Sequence, residues 1–304
     1  MDISGPAVRK YLKKFIVGSE KKIRLKNFET GWVQHESFRN KPEEVVDDLL
    51  KEVLEKDQKE LFAAQELLAA SHKYGILIVL QGMDTAGKDG TIRHVMSGVN
   101  PQGCDVHSFK VPDVEDHLHD FLWRYERALP ERGMIGIFNR SYYEDVLVVH
   151  VHPERMEELP ETIGPDAEGF WDDRYKDINA FEKHLVRNGT IVLKFFLHIS
   201  KDEQKLRLLD RLDHKEKYWK FSVSDIAERE YWNEYLVAYE EMLTATSTKY
   251  APWFIVPADH KWMARTIVAE AITSAIEGLN LSYPKYSDEQ IRHLMDAKET
   301  LEKE

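Results

Sequence analysis

A glycine-rich loop that directly follows an apolar run constrains the fold of this chain more than any other feature. Residues 76–80 read Ile-Leu-Ile-Val-Leu, and a loop at 82–87 with glycine at both ends leads into Lys88. A continuous run rich in β-branched residues is typical of a strand that is buried on both faces. The spacing Gly-x-x-x-x-Gly-Lys after such a strand predicts a phosphate-binding loop, with a simple tight turn as the alternative.

The residues of this loop suit a phosphate that is held together with a divalent cation. Glycine at both ends lets successive N–H groups point at one anion, and Lys88 adds a mobile ammonium. Asp84 and Asp89 would repel a phosphate unless a cation lies between them, and carboxylate oxygens suit Mg²⁺, with Mn²⁺ as a second possibility. Asp89 stands where Ser or Thr usually helps to hold Mg²⁺, so a role at the helix start is its alternative. We expect contacts to the phosphates from Gly82, Thr85, Ala86, Gly87, Asp89, Gly90 and Thr91.

Further apolar runs and the helical patterns between them predict the fold class. Other strand-like runs lie at 134–138, 191–197 and 253–256, with a weaker one at 106–109. Helical patterns lie at 42–73, 89–99, 114–129, 174–188, 201–212, 225–246 and 261–279. Strands that alternate with helices predict an α/β fold with a parallel sheet of about five strands flanked by helices.

No repeat or low-complexity linker divides the sequence, so we expect a single domain over residues 1–304. Residues 1–41 show little periodicity and are expected to form an N-terminal extension. The first long helix is expected to end at Tyr74-Gly75. The charged residues 285–304 are expected to form a peripheral tail.

Composition restricts the class of protein and its partners. The 304 residues are 42% hydrophobic and 32% charged, which is typical of a folded chain. A net charge of −12 does not attract nucleic acid or anionic membrane, so a polyanion would need a local basic patch. Cys104 is the single cysteine, which excludes an internal disulfide. No apolar stretch reaches the length of a membrane span and the start lacks a signal-type run, so we expect a cytoplasmic protein.

A second acidic motif follows the strand-like run at 134–138. Residues 139–145 read Asn-Arg-Ser-Tyr-Tyr-Glu-Asp, and in open α/β sheets ligands gather where parallel strands end. We therefore expect Arg140 to reach the crevice of the phosphate loop and to clamp a phosphoryl group. Glu144 or Asp145 would hold Mg²⁺ or orient the attacking phosphate oxygen. A surface turn with an internal Arg–Asp pair is the alternative.

A basic segment follows the strand-like run at 191–197. Ser200 and Glu203 have capping-box spacing, and the helix after them is predicted to carry leucines on one face and Arg207 and Arg211 on the opposite polar face. Residues 201–220 hold seven basic and five acidic side chains, a local reversal of the overall charge. We predict a lid at 201–224 that closes over phosphates, with Arg207, Arg211 and Lys217 holding the donor. A solvated charged helix is the alternative.

The segments 82–92, 138–147 and 212–221 resemble, in wording, order and spacing, the polyphosphate kinase 2 family. The resemblance runs from about residue 73 to 280 and is strongest to the subgroup that phosphorylates both nucleoside mono- and diphosphates. It implies a P-loop kinase fold related to thymidylate kinase, a Mg²⁺ requirement, inorganic polyphosphate as donor and a homo-oligomer. Lys215 departs from the family wording, which has proline there. The resemblance puts these residues at the chemical centre: Asp84, Lys88, Arg93, Asn139, Arg140, Glu144 and Asp145.

This resemblance implies reversible transfer of a phosphoryl group between polyphosphate and AMP or ADP, or GMP or GDP. Phe109 and Lys110 are candidate acceptor contacts, because the corresponding region of related nucleotide kinases meets the acceptor; residues 121–124 could face the same pocket. Two other functions remain open: an ATP-dependent nucleoside monophosphate kinase on the same fold, and a non-catalytic module that binds polyphosphate.

Overall fold

The computed structural model of the protein describes residues 12–19, 22–31, 41–156, 159–160, 162 and 164–304. At its centre is a parallel five-stranded sheet with the order β2-β3-β1-β4-β5. The strands are β1 Gly75–Gln81, β2 Cys104–Ser108, β3 Ile135–Asn139, β4 Thr190–His198 and β5 Trp253–Pro257. Strand β1 pairs on both sides and is buried along its whole length, as its apolar run predicts. The predicted α/β fold class is therefore confirmed.

Helices cover the sheet in two groups. The helices are α1 Glu43–Ser71, α2 Lys88–Val95, α3 Trp123–Glu126, α4 Glu144–Val151, α5 Phe170–Arg187, α6 Lys201–Asp213, α7 Ser224–Glu228, α8 Trp232–Thr246, α9 Lys261–Glu277 and α10 Asp288–Leu301. Helix α9 packs against α1 and α2, and helix α8 packs against α4 and α5. In the described part of the chain, no helix is both long enough and apolar enough to cross a bilayer.

Two predicted helices are interrupted. The pattern at 114–129 gives only a 3₁₀ turn, Asp116–Leu118, and the short helix α3. The reason is local, because His119 is extended, with φ of −123° and ψ of 170°, and Asp120 Oδ1 then accepts a hydrogen bond from Leu122 N–H at 3.0 Å. The pattern at 225–246 is likewise divided by a 3₁₀ turn into α7 and α8.

Other element boundaries also differ from the sequence expectation. Helix α1 ends at Ser71 because His72 adopts a left-handed conformation, with φ of 47°, and Gly75 already belongs to β1. Helix α4 was not predicted, since its residues are largely β-branched and have no clear helical period. Helix α10 was not predicted either; it lies in the expected tail, and none of its residues is buried.

The described part of the N-terminal extension belongs to the core. Val17 donates its backbone N–H to Trp253 O at 2.9 Å, and Ile255 donates to Phe15 O at 2.8 Å, so this segment covers the free edge of β5. Phe15 and Val17 are buried. Residues 12–19 of the expected N-terminal extension thus pair with the sheet, while 1–11, 20–21 and 32–40 lie outside the described residues.

Candidate active site

The phosphate loop joins β1 to α2 in a conformation that needs glycine at both ends. A Cβ on Gly82 would lie 2.8 Å from Leu197 O, and Gly87 has a φ of 107°. Lys88 folds back over the loop and donates to Gly82 O at 2.6 Å and to Met83 O at 3.4 Å. Burial, and then repulsion from Arg140, lower the pKa of Lys88. The lysine is therefore a desolvated cation next to the first turn of a helix, where an anion is stabilised.

Arg207 braces this loop from behind. Its guanidinium donates to Thr85 O and Ala86 O at 3.0 Å each, to Ala258 O at 2.6 Å and to Asp259 O at 3.0 Å, and its Nε donates to Glu203 at 2.8 Å. Arg207 was expected on the polar face of α6, but its side chain is buried and its N–H groups donate within the protein. A contact of Arg207 with the donor stays a prediction.

The rest of the predicted lid also differs from expectation. Of the three leucines expected on one face of α6, Leu208 is buried, whereas Leu209 and Leu212 are 45% and 43% exposed. Arg211 donates to Lys220 O at 2.8 Å and to Asp225 at 3.3 Å, and Lys217 contacts both oxygens of Asp210 at 2.8 and 2.9 Å. Arg211 and Lys217 do not line the cleft that is described next, whereas Asp225 does.

Arg140 joins the phosphate loop to the second acidic motif. Its Nη2 lies 3.0 Å from Asp84 Oδ1 and its Nη1 lies 3.5 Å from Glu144 Oε2. The negative charge of Glu144, and then that of Asp84, raise the pKa of Arg140 above its ordinary value. Burial of the guanidinium partly opposes this rise. The motif is thus not a surface turn with an internal Arg–Asp pair, because the aspartate that Arg140 contacts belongs to the other segment. The expected meeting of the two motifs in one crevice is present.

A cleft of about 500 Å³ opens in front of this ion pair. The predicted residues that line it are Gly82, Asp84, Phe109, Lys110, Phe121, Arg124, Arg140, Glu144 and Asp145. Phe109 packs against Tyr125 with ring centroids 4.5 Å apart, and the Arg124 guanidinium lies 5.4 Å from the Phe109 ring centroid. The lining of the cleft therefore combines aromatic rings and cations with carboxylates.

The structure brings several residues to the cleft that the sequence did not identify. Tyr125 donates its hydroxyl to Asp145 Oδ2 at 3.4 Å, and burial followed by the charge of Asp145 raises the pKa of Tyr125 well above its ordinary value. Asp225 and Glu228 of α7 and Tyr235 of α8 also line the cleft. They lie in a segment without a motif, so only the fold could locate them.

Other predicted residues lie outside the cleft lining. Asp89 accepts a hydrogen bond from Asn139 Nδ2 at 2.6 Å. Arg93 is exposed on α2. Ala86 and Thr91 are buried, while Thr85, Gly87 and Gly90 are partly buried along the loop and the first turn of α2.

The carboxylates of the cleft fit a cation that arrives with phosphate. Among the residues that the structure describes, no three His, Cys, Asp or Glu side chains form a group that could hold a metal ion alone. Asp84, Glu144 and Asp145 nevertheless line the same cleft, and burial followed by the charge of Asp84 raises the pKa of Asp225. Mg²⁺ is usually held by one or two carboxylates together with substrate phosphates, so this donor set suits it.

Comparison with known proteins gives one consistent result. The family described as Polyphosphate kinase 2 matches residues 45–283. An ADP-polyphosphate phosphotransferase from Rhodopseudomonas palustris is 49% identical over 251 residues, which cover 82% of this chain and 87% of the relative. An AMP/ADP-polyphosphate phosphotransferase from Meiothermus ruber is 47% identical over 221 residues, covering 73% and 79%. The crystal structure of polyphosphate kinase 2 from Arthrobacter aurescens TC1 has a TM-score of 0.81 at 38% identity, covering 94% of this chain and 96% of that one.

Proposed function

Because the chain belongs to the polyphosphate kinase 2 family, we propose that its cleft transfers a phosphoryl group between inorganic polyphosphate and AMP or ADP. The protein is a polyphosphate-dependent nucleotide phosphotransferase with a P-loop kinase fold. The observation that carries the site assignment is the contact of Arg140 with both Asp84 and Glu144. This contact joins the phosphate loop to the second acidic motif, so a donor phosphate and an acceptor phosphate can meet between them.

Two kinds of side chain in the cleft suit the two parts of a nucleotide acceptor. Phe109, which is partly exposed and backed by the buried Tyr125, offers aromatic surface for a base, and Lys110 offers positive charge for its phosphate. Arg124 in the same lining pairs with Asp116 at 3.1 Å. The acceptor phosphate would then point toward Arg140 and the phosphate loop. Adenine and guanine would both fit this general chemistry, and we expect AMP and ADP as the preferred acceptors.

Catalysis in this arrangement would consist of positioning and charge neutralisation. Two phosphate chains repel each other, so Lys88 at the loop and Arg140 beside it would stabilise the charge of the phosphoryl group in transit. Asp84, Glu144 and Asp145 would hold Mg²⁺, which when bound neutralises phosphate charge and draws donor and acceptor together. A terminal phosphate oxygen is already largely ionised at neutral pH, so Asp145, oriented by Tyr125, would align the acceptor rather than remove a proton.

The experiment that tests this function offers polyphosphate as the phosphoryl donor and leaves ATP out. The purified protein is incubated with Mg²⁺, long-chain polyphosphate and AMP, ADP, GMP or GDP, and the products are separated by anion-exchange chromatography. We expect ADP and ATP from AMP, and ATP from ADP, while Asp145→Asn from the same purification shows that no contaminating kinase is responsible. Product only when ATP is the donor would indicate a nucleoside monophosphate kinase. Polyphosphate binding without turnover would indicate a non-catalytic module, and either result contradicts the proposal.

Two further properties remain predictions. Replacement of Mg²⁺ by Mn²⁺ should support turnover, because both ions accept carboxylate and phosphate oxygens. The chain should form a homo-oligomer, and light scattering of the purified protein measures its mass. The exposed apolar side chains of α10, which include Ile291, Leu294 and Met295, are consistent with a contact surface.

A further inference from the structure

The residue that joins the two motifs of the cleft has a strained backbone. Arg140 has a φ of 65°, in the left-handed region that residues other than glycine rarely adopt. Its N–H donates to Leu80 O at 3.1 Å, at the point where β1 and β3 make their last pair, Leu80 with Asn139. Such a conformation costs free energy and persists only where neighbouring contacts impose it. The contacts that hold this turn also aim the guanidinium that connects Asp84 to Glu144.

A buried hydrogen bond lies beside this turn. Gln81 is the last residue of β1, and Ser141 directly follows Arg140. Gln81 Nε2 donates to Ser141 Oγ at 3.1 Å, and both residues are 0% exposed. Ser141 Oγ also accepts the backbone N–H of Tyr143 at 3.3 Å. The Ser141 hydroxyl thus fastens the turn to the strand that leads into the phosphate loop and to the residue that precedes Glu144.

This polar pair is a costly way to fill its part of the core. Gln81 Oε1 is buried and accepts no hydrogen bond from any residue that the structure describes. An unpartnered buried acceptor costs free energy, and an apolar side chain of similar volume, such as methionine, would occupy the space without that cost. Every other side chain of β1 after Gly75 is apolar. The pair therefore meets a requirement for geometry rather than for stability.

The pair itself is out of reach of the substrates. Neither Gln81 nor Ser141 lines the cleft, and neither is exposed to solvent. Any effect of the pair on phosphoryl transfer must therefore pass through the residues that it holds in place. These are Gly82, which follows Gln81 and begins the phosphate loop, and Arg140, which precedes Ser141. The bond thus joins the starts of both motifs where their strands part.

We propose that Gln81 and Ser141 are positioning residues for phosphoryl transfer. Their hydrogen bond holds the strained turn at Arg140, so that the guanidinium stays between Asp84 and Glu144 while two repelling phosphate chains are brought together. This inference rests on the proposed function and deepens it, because it explains how two segments far apart in sequence keep a fixed separation at the reacting phosphates.

The main variant is Gln81→Met, which keeps the volume of the side chain, removes the bond to Ser141 and leaves the bond from Tyr143 to Ser141 in place. With Mg²⁺, ADP and long-chain polyphosphate, we expect kcat for ATP formation to fall about tenfold, as for the loss of one hydrogen bond that acts in the transition state. The KM of each substrate should change less than about twofold. Thermal unfolding should give nearly the same midpoint, because the unpartnered acceptor is lost together with the bond.

Gln65→Met is the matched control. Gln65 lies on α1, is 1% exposed and likewise has a buried Oε1 without a hydrogen-bond partner among the described residues, but it does not line the cleft or contact either motif. We expect its kcat to equal that of the unchanged protein. Ser141→Ala removes the same bond from the other side, and it keeps the test valid if Gln81→Met fails to fold.

A second measurement asks whether the pair acts through Arg140. In Arg140→Gln there is no guanidinium to position, so addition of Gln81→Met should cost little further in kcat. The effect of Ser141→Ala should likewise be much smaller in that background. A role in stability alone would instead lower the amount of folded enzyme equally in both backgrounds.

The possible results separate this inference from the proposed function. Lack of any polyphosphate turnover by the unchanged protein would contradict the proposed function itself. Normal turnover by the unchanged protein and an unaltered kcat for Gln81→Met would contradict only the positioning role. A loss of kcat that persists in full in Arg140→Gln, or that Gln65→Met shares, would mean that the bond acts through stability or another group and would also overturn the inference.

Discussion

Lys194 Nζ lies 2.6 Å from Glu182 Oε2, and both side chains are fully buried. The hydroxyls of Tyr142 and Tyr143 donate to the other oxygen of Glu182 at 2.9 and 2.7 Å. These two tyrosines directly precede Glu144 and Asp145. A buried ion pair between β4 and α5 therefore fixes the segment that presents the second acidic motif to the cleft.

Lys194→Met should destabilise the protein by about 3–5 kcal/mol, because it leaves the Glu182 carboxylate buried without a cation. Addition of Glu182→Gln should restore much of the loss, since the amide oxygen still accepts from the tyrosines and carries no charge. Urea unfolding measures both values. Equal stability of Lys194→Met and the unchanged protein would show that the pair does not hold this segment.

Asp145→Asn should fold normally and lose about 10²–10³-fold in kcat, because the amide cannot replace the charge of the carboxylate at the cleft. Circular dichroism and the polyphosphate-dependent formation of ATP from ADP measure the two effects. Asp177→Asn is the matched control, since Asp177 is an exposed carboxylate on α5 outside the cleft. Near-normal turnover by Asp145→Asn would remove the role assigned to it.

Arg207→Lys should lower stability by about 2–3 kcal/mol, because an ammonium cannot replace hydrogen bonds to four backbone carbonyls and Glu203. The loss should be present without any phosphate ligand, which distinguishes a brace of the loop from a donor contact. Thermal unfolding of the ligand-free protein gives the measurement, with Lys205→Gln as a control on the exposed face of α6. A variant that unfolds normally and only binds polyphosphate more weakly would support the original lid assignment.

The protein should lose stability as the pH rises toward 8, because of two carboxyl groups between α1 and α9. Burial, and then the charge of Glu60, raise the pKa of Asp57 to about 7, and burial followed by the charge of Asp57 raises the pKa of Glu270 to about 7. The folded state thus binds more protons than the unfolded state between about pH 4 and 7. Stability from these groups is present at low pH and is lost as the pH passes through about 7.

Asp57→Asn should flatten this dependence and stabilise the protein at pH 8 by about 1–2 kcal/mol, because the amide stays neutral. Urea unfolding of the variant and of the unchanged protein is compared at about pH 5, 6, 7 and 8, which spans the titration of the two carboxyl groups. Parallel curves for the two proteins would show that Asp57 does not titrate in this range.

The sequence identified those parts of the fold and site that depend on local pattern. The apolar runs located all five strands of the sheet, and the glycine spacing located the loop before α2. Because parallel strands end at one edge of a sheet, the sequence also predicts that Arg140 reaches the phosphate loop, where it contacts Asp84. These features need no knowledge of how distant helices pack.

The remaining features depend on tertiary contacts. Arg207 has the spacing of an exposed helical residue, and only the position of α6 behind the loop makes it a brace. Tyr125 lies in a segment whose helical pattern is interrupted at the extended residue His119 and the turn at Asp120. The β-branched residues of α4 favour no helix by themselves, and packing against α8 determines its conformation.

The central claim is that the phosphate loop and the second acidic motif act as one centre. A double-mutant cycle of Asp84→Asn and Arg140→Gln, measured as kcat for ATP formation from ADP and long-chain polyphosphate, tests it most directly. We predict that each variant loses about 10²-fold or more and that the double variant is little worse than the more damaged single one. Losses that multiply independently would contradict the claim, because two residues that act on separate steps or sites give additive energies.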